Sequence, residues 1–321
     1  MRGRRSVWSL PDIQKLAANF VSATDEVWRL HHLKDPECEL FQSFMNEGIY
    51  KRENGGGSTR QGIFAVAPSG ALLADVNTTR PGPMRKMLQD ALAAWKALPR
   101  SERLLPYDPA ERRDRIKRAE QKFPQDGVAL RVTVRDLPRR DLPGDWRAKA
   151  YNVDYAWFRA SELQSLLPKR VKKGASQPWP KALTERVVRL QLLDYVRGQT
   201  VPYDPEHLHE ATLTTEVVKV KKKAVELRFS GAVRVCSGAW SDTPDGSQTR
   251  GTKAALLGEA TFDRKRGRFS RFELVAVGVR WGRTQFNFRQ DDLPPSPIGW
   301  VFQLAPEGER VAPAHLGAYG W

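Results

Sequence analysis

The sequence is poor in the residues that build the commonest chemical sites. Its 321 residues include two cysteines, Cys38 and Cys236, and five histidines. Two cysteines make neither a disulfide scaffold nor a four-cysteine zinc site. No apolar run approaches the roughly 18 residues of a membrane span. The Gly-x-Ser-x-Gly elbow, the Gly-Lys-Ser/Thr phosphate loop, zinc-finger spacing and the helix-turn-helix pattern are also absent. We therefore expect a cytoplasmic protein with no cofactor and no membrane partner.

Positive charge is what the sequence has in excess. The chain carries 53 Lys and Arg against 37 Asp and Glu, a net charge of +16, and its pI is near 10.0. A nucleic-acid-binding surface concentrates such charge, because affinity grows with the number of phosphates neutralised together. The excess is +4, +4, +5 and +3 over residues 1–100, 101–150, 151–230 and 231–321. It is therefore spread along the whole chain.

Three short basic clusters nevertheless stand out. One precedes Gly174 in a predicted loop, and two fall between strand-like runs, where Lys and Arg commonly solvate hairpin turns. Their candidate phosphate-contacting residues are Lys169, Arg170, Lys172, Lys173, Lys221, Lys222, Lys223, Arg264, Lys265 and Arg266. Spacing along the chain does not show whether folding gathers them on one face. Solvated turns and a nucleic-acid surface both stay open as interpretations.

The first hundred residues predict helices around one hairpin. Proline early in a helix and glycine at its end mark the helix boundaries, and the turn Pro68-Ser69-Gly70 marks the hairpin. In order, the predicted elements are a helix from Pro11, a strand at Asn19–Ala23, a helix from Asp35-Pro36 to Gly48, strands at Gly62–Ala67 and Ala71–Val76, and a helix from Pro83 to Leu98.

This order resembles the later part of a thioredoxin-like domain, over residues ~8–98. The strand at Asn19-Phe20-Val21, the hairpin and the last helix carry the resemblance. Two of the family's features are missing: its Cys-x-x-Cys, and the proline before its third strand. Ser58, Thr59, Arg60 and Gln61 stand where that proline would be. The resemblance implies a degenerate module without redox activity, whose edge at Ser58–Gln61 faces a peptide.

Composition divides the chain into a 1–98 module, a 99–126 connector, a 127–310 domain and a 311–321 tail. The connector is rich in proline and charge, and Ala110–Lys122 has few apolar positions, as is typical of a solvated helix. The tail carries Tyr319 and Trp321, which would dock back onto the fold.

The 127–310 domain predicts an antiparallel, strand-rich fold. Apolar and polar residues alternate with period two in Val128–Arg135 and beyond residue 210. The later predicted strands are Ala211–Val220, Ala224–Cys236, Lys253–Phe262, Phe269–Val279, Gln285–Phe288 and Gly299–Leu304. Helices at Ser161–Leu167 and Ala182–Arg197 would cover one end or face. The chain is therefore predicted to be α+β, with a thioredoxin-like module followed by an antiparallel β-rich barrel or sandwich.

Two chemical candidates remain. Cys38 lies near a helix start, where the dipole lowers a thiol pKa, although Glu37 and Glu39 oppose that effect. His207 and His209 have the spacing of two metal ligands on one face of a strand. The competing interpretation of Cys38 is a structural cysteine. The competing interpretation of His207 and His209 is a surface loop that carries two histidines.

Three functions follow from these patterns. The first is binding or scaffolding of a protein or peptide by a non-redox thioredoxin-like module. The second is nucleic-acid binding through the basic clusters. The third is an enzyme that uses a Cys38 thiolate or a His207/His209 metal site. The sequence leaves the partner's identity and the oligomeric state open.

Overall fold

We describe the chain from a computed structural model, which covers residues 7–24, 27–34, 36–52, 61–104, 119–140, 146–247 and 249–321. These residues fall into two compact units, 7–104 and 119–321. Residues 105–118, which hold most of the predicted connector helix, lie outside the described part.

The first unit is mainly helical, with one small antiparallel sheet. Its helices are α1 (Pro11–Ala17), α2 (Val27–His32), α3 (Pro36–Glu47), α4 (Ile49–Arg52) and α5 (Pro81–Ala97), and its strands are β1 (Ile63–Val66) and β2 (Leu72–Val76). Proline occupies the first turn of α1 and α5, where its missing N–H costs nothing. The predicted hairpin and closing helix are both confirmed.

The strand predicted at Asn19–Ala23 is not found. The backbone N–H groups of Asn19 and Phe20 close α1 with turn hydrogen bonds to the carbonyls of Leu16 and Ala17, and the Asn19 side chain donates to the carbonyls of residues 15 and 16. Val21 is fully exposed and pairs with no strand. The described sheet of this unit therefore has two strands. The thioredoxin-like resemblance, which relies in part on this strand, stays a prediction.

The second unit is built on one large antiparallel sheet. Its strands are β3 (Val128–Asp136), β4 (Tyr151–Phe158), β5 (Ser176–Pro178), β6 (Leu208–Val220), β7 (Ala224–Cys236), β8 (Gly251–Asp263), β9 (Arg268–Trp281) and β10 (Ser296–Leu304), and its helices are α6 (Ala160–Gln164) and α7 (Lys181–Gln191). The order across the sheet is β4-β3-β10-β9-β8-β7-β6-β5. The predicted α+β class with a large antiparallel sheet is confirmed.

Alternation along the strands puts the main core on one face of this sheet. Val132, Leu274 and Phe302, on three neighbouring strands, are at most 2% exposed. Helix α7 covers the same face, where its Val187 and Val188 join the cluster. Burial of these apolar side chains is the main force that fixes which face points inward.

Three predictions about this unit are wrong. The sheet is a single open one, because no pairing among its described strands joins β4 to β5, so it is neither a closed barrel nor a two-sheet sandwich. Gln285–Phe288 forms turns, not a strand. Helix α7 ends at Gln191 instead of Arg197, because side chains of Trp300 and Asn152 take the carbonyls of residues 193 and 195.

The end of the chain docks back onto this unit, as the sequence predicts. The Tyr319 hydroxyl accepts a hydrogen bond from Gln191 at 2.9 Å, and the Arg186 guanidinium lies over the Tyr319 and Trp321 rings at 4.7 and 5.2 Å.

In the described part of the chain, every helix is too short or too polar to cross a bilayer.

Candidate nucleic-acid interface

The fold brings the three basic clusters to one end of the large sheet. Lys221–Lys223 form the β6–β7 turn, and Arg264–Gly267 form the β8–β9 turn. Ala224 pairs with Asp263, so the two turns are neighbours, and the Arg264 N–H donates to the Lys223 carbonyl at 3.0 Å. The register of strands β7 and β8 therefore brings these two basic clusters together, which the sequence alone does not show.

The third cluster reaches the same end along the sheet edge. Gly174 N–H donates to the Val217 carbonyl, and Val217 N–H donates to the Ala175 carbonyl, both at 2.8 Å. These bonds hold the 169–173 segment beside the last residues of β6. Adjacent strands lie about 4.8 Å apart, so the four spacings from this segment across β6, β7 and β8 to β9 give the three clusters a width of about 19 Å.

We call this surface the basic rim. It comprises Lys169, Arg170, Lys172, Lys173, Lys219, Lys221, Lys222, Lys223, Arg264, Lys265, Arg266 and Arg268, all of them exposed. Within the described residues, only Lys221 of these twelve forms an ion pair, with Glu226. The rim is therefore a dense patch of positive charge, with Glu226 and Asp263 as neighbouring acids.

One carboxylate in the rim is structural. Asp263 Oδ1 accepts the backbone N–H groups of Lys265 at 2.8 Å and Arg266 at 2.9 Å, and Gly267 adopts a left-handed conformation (φ 65°). The Arg266 N–H is the main reason that the pKa of Asp263 is lowered. This anion shapes the backbone of the β8–β9 turn, from which Arg264, Lys265 and Arg266 project.

The other sequence candidates are not brought together in this way. Cys38 and Cys236 are buried, at 0% and 1% exposed, which denies either thiol the access that a nucleophile needs. Ser58, Thr59 and Arg60 lie outside the described residues. Gln61 is half-buried just before β1.

His207 and His209 take separate partners. His207 Nδ1 accepts the Asp204 backbone N–H at 3.0 Å, and His209 Nε2 lies 3.1 Å from the Gly238 carbonyl. The group with metal-ligand spacing in the described chain is instead Asp204, Glu206 and His207, which is largely exposed. The lone pair of His207 Nδ1, the nitrogen that faces the Asp204 carboxylate at 3.8 Å, is already used by the Asp204 N–H, so we assign no metal to this group.

Sequence reasoning missed a buried charge network at the opposite end of the core. It consists of Asp136, Asp194, Asp292, Arg197, Arg280 and Arg289, each less than a tenth exposed. Arg289 donates to Asp136 at 2.6 Å, to Asp194 at 2.8 Å and to Asp292 at 2.9 Å. Period-two alternation carries the signal, because Asp136 and Arg280 continue the inward-facing positions of β3 and β9.

The network keeps its carboxylates ionised despite burial. Burial opposes ionisation of Asp194, but the charges of Arg289 and Arg280 outweigh it and hold its pKa below the ordinary value. Burial likewise opposes ionisation of Asp292, and the surrounding arginines, Arg280 foremost, lower its pKa from 3.8 to about 2. Arg289 gains in turn, since its carboxylate partners overcome its burial and raise its pKa.

We expect acid to weaken the fold through Asp292. A carboxyl whose folded-state pKa is depressed stabilises the fold above its unfolded pKa of about 3.9, and this contribution is lost as the pH falls towards about 2. Urea midpoints measured from pH 5 to pH 2 for the wild type and Asp292→Asn test this. The variant should be less stable at pH 5, and the two curves should converge on acidification. Parallel curves would contradict the assignment.

No family model, curated protein or solved structure matches this chain. The interpretation of the basic rim therefore depends on its geometry and charge alone.

Proposed function

We propose that this protein binds nucleic acid through the basic rim. The observation that carries the proposal is the convergence of three sequence-distant basic clusters on one end of the sheet, where eleven of twelve cations form no ion pair within the described chain. Neutralising several phosphates at once releases counterions, which is the main source of affinity for duplexes.

The rim favours contacts with phosphates over contacts with bases. Its nearest aromatic side chains, Phe262 and Phe269, are only 9% and 4% exposed, so they offer no stacking platform for single-stranded bases. Its span of about 19 Å exceeds the major-groove width of about 12 Å, so its cations reach phosphates on both sides of a groove. We infer a preference for duplex over single strand and little dependence on base sequence.

Nucleic acid also suits this surface better than an anionic membrane does. Interfacial binding uses Trp, Phe or Leu that enter the acyl boundary. The large apolar side chains exposed in the three rim segments are two valines, Val171 at 39% and Val220 at 38%. The rim therefore offers charge without an inserting apolar face.

The test is fluorescence anisotropy of the full chain with a 20-base-pair duplex of arbitrary sequence. Between 50 and 200 mM salt, four to six phosphate contacts predict a fall in affinity on the order of 10²–10³-fold. Lys221→Ala/Lys222→Ala/Lys223→Ala should weaken binding at least tenfold and reduce the salt slope by about 2–3.

A matched control removes the same charge elsewhere in the second unit. Lys149, Lys181 and Lys253 are exposed and lie away from the rim, so their triple alanine variant should bind within twofold of the wild type. Equal weakening by both triple variants would reduce the effect to net charge and overturn the proposal. Absence of duplex binding at 50 mM salt, or binding to phosphatidylserine vesicles in its place, would also overturn it.

A further inference from the structure

A second site lies at the other end of the large sheet, about 40 Å from the rim along strands of 13 residues. There β7 ends, β8 begins and β9 ends, with Cys236 paired to Gly251 and Gly251 to Trp281. Residues 199–201, 237, 246, 247, 249, 250 and 283–286, from three loops, line an open cleft of about 550 Å³. This volume falls in the range of small-molecule sites.

The lining of the cleft carries positive charge, and the neighbouring acid Asp245 accepts the N–H and the hydroxyl of Ser247, both at 2.8 Å. Its twelve lining residues include Arg250 and Arg283 and no carboxylate. Arg250 is held in place, because its Nη2 donates to the Pro202 carbonyl at 2.7 Å and its guanidinium lies 4.2 Å above the Tyr203 ring. Arg283 is exposed and has neither a hydrogen bond nor an ion pair among the described residues. Such an arrangement recognises an anion.

Other lining groups are equally poised for a ligand. Phe286 is 49% exposed in the cleft wall, and Gln285 beside it makes no hydrogen bond within the described chain. The Phe286 ring and the Gln285 amide are therefore both available to a ligand.

The loop that carries Arg283, Gln285 and Phe286 is held in place by buried residues. Asn287 accepts the Thr284 backbone N–H at 3.0 Å and donates to Asp194 at 3.4 Å, which ties the loop to the buried charge network. Gly198 lets the Phe286 carbonyl approach so closely that any Cβ there would collide with it. Phe288 holds a left-handed conformation (φ 54°), which is strained for a bulky residue. The buried network thus holds the cleft in shape before any ligand arrives.

We propose that this cleft binds a nucleoside monophosphate. The phosphate would pair with Arg283 and Arg250, the planar base would lie against Phe286, and the Gln285 amide would reach the base edge. This site is independent of the basic rim, since it lies at the other end of the strands and shares no residue with it.

Isothermal titration calorimetry of the full chain tests the proposal with the four common nucleoside monophosphates, the matching nucleosides and inorganic phosphate. At least one monophosphate should bind ten times more tightly than its nucleoside or phosphate alone. Arg283→Gln should weaken the monophosphate at least tenfold and leave its nucleoside within twofold. Phe286→Ala should weaken both at least fivefold.

The rim variant Lys221→Ala/Lys222→Ala/Lys223→Ala serves as the control and should bind the monophosphate as the wild type does. Conversely, Arg283→Gln should keep its duplex affinity within twofold, so failure of one proposal is distinguishable from failure of the other. Arg283 is exposed, so its replacement should leave the urea midpoint unchanged. Failure of all four monophosphates to bind, loss of binding in the rim variant, or unchanged binding by Arg283→Gln would overturn the assignment.

Discussion

Arg289→Met is expected to lower the free energy of unfolding by about 3–5 kcal/mol, as measured by urea denaturation at pH 7. Arg289 is fully buried and donates to three carboxylates. Methionine occupies similar space but leaves Asp136 and Asp194 without their main cation. Removing one partner of a buried ion network is costly because the charges that remain are neither solvated nor paired.

Arg283 on the same loop provides the matched control. It is exposed and makes no ion pair in the described chain, so Arg283→Met should change stability by no more than about 0.5 kcal/mol. A loss below about 1 kcal/mol for Arg289→Met would show that Arg197 and Arg280 compensate for it. Both variants remove one arginine charge, so the difference between their free energies of unfolding reports the effect of burying that charge.

The fold was predictable where a local pattern determines it. Strand β7 has the predicted bounds, Ala224–Cys236, because period-two alternation and a lysine-rich turn define both ends. The end of α7 was not predictable, because residues beyond Gln191 keep apolar helical spacing. There, side chains of Trp300 and Asn152, which are remote in sequence, compete for the backbone carbonyls.

The candidate sites divide in the same way. The basic residues of the rim are visible in the sequence, but their convergence follows from strand order, which pairs Ala224 with Asp263 and places the 169–173 segment beside β6. The cleft was not predictable from any local sequence pattern, because residues from three separate loops line it. The buried network was hidden because aspartate and arginine ordinarily indicate solvent.

Trp300→Ala should remove about 3–5 kcal/mol from the free energy of unfolding, again in urea at pH 7. Trp300 is 0% exposed on a central strand, between Val134 on β3 and Ala276 on β9. Alanine would leave a cavity that this sheet is poorly able to close, since backbone pairing fixes both neighbours. Trp240→Ala, at a half-buried position, is the same chemical change and should cost less than half as much.

Trp300→Phe isolates the second role of this side chain. The Trp300 Nε1–H donates to the Leu193 carbonyl at 3.1 Å, and phenylalanine keeps most of the ring but loses this donor. The Leu193 carbonyl keeps its second donor, the Tyr195 backbone N–H at 3.1 Å, so the loss of one hydrogen bond should cost about 0.5–1.5 kcal/mol. This variant should therefore lie between the wild type and Trp300→Ala. Hydrogen exchange should also quicken in residues 192–197, the segment that carries Asp194 and Arg197 into the buried network. Unchanged exchange there would mean that the network, and not Trp300, holds the segment in place.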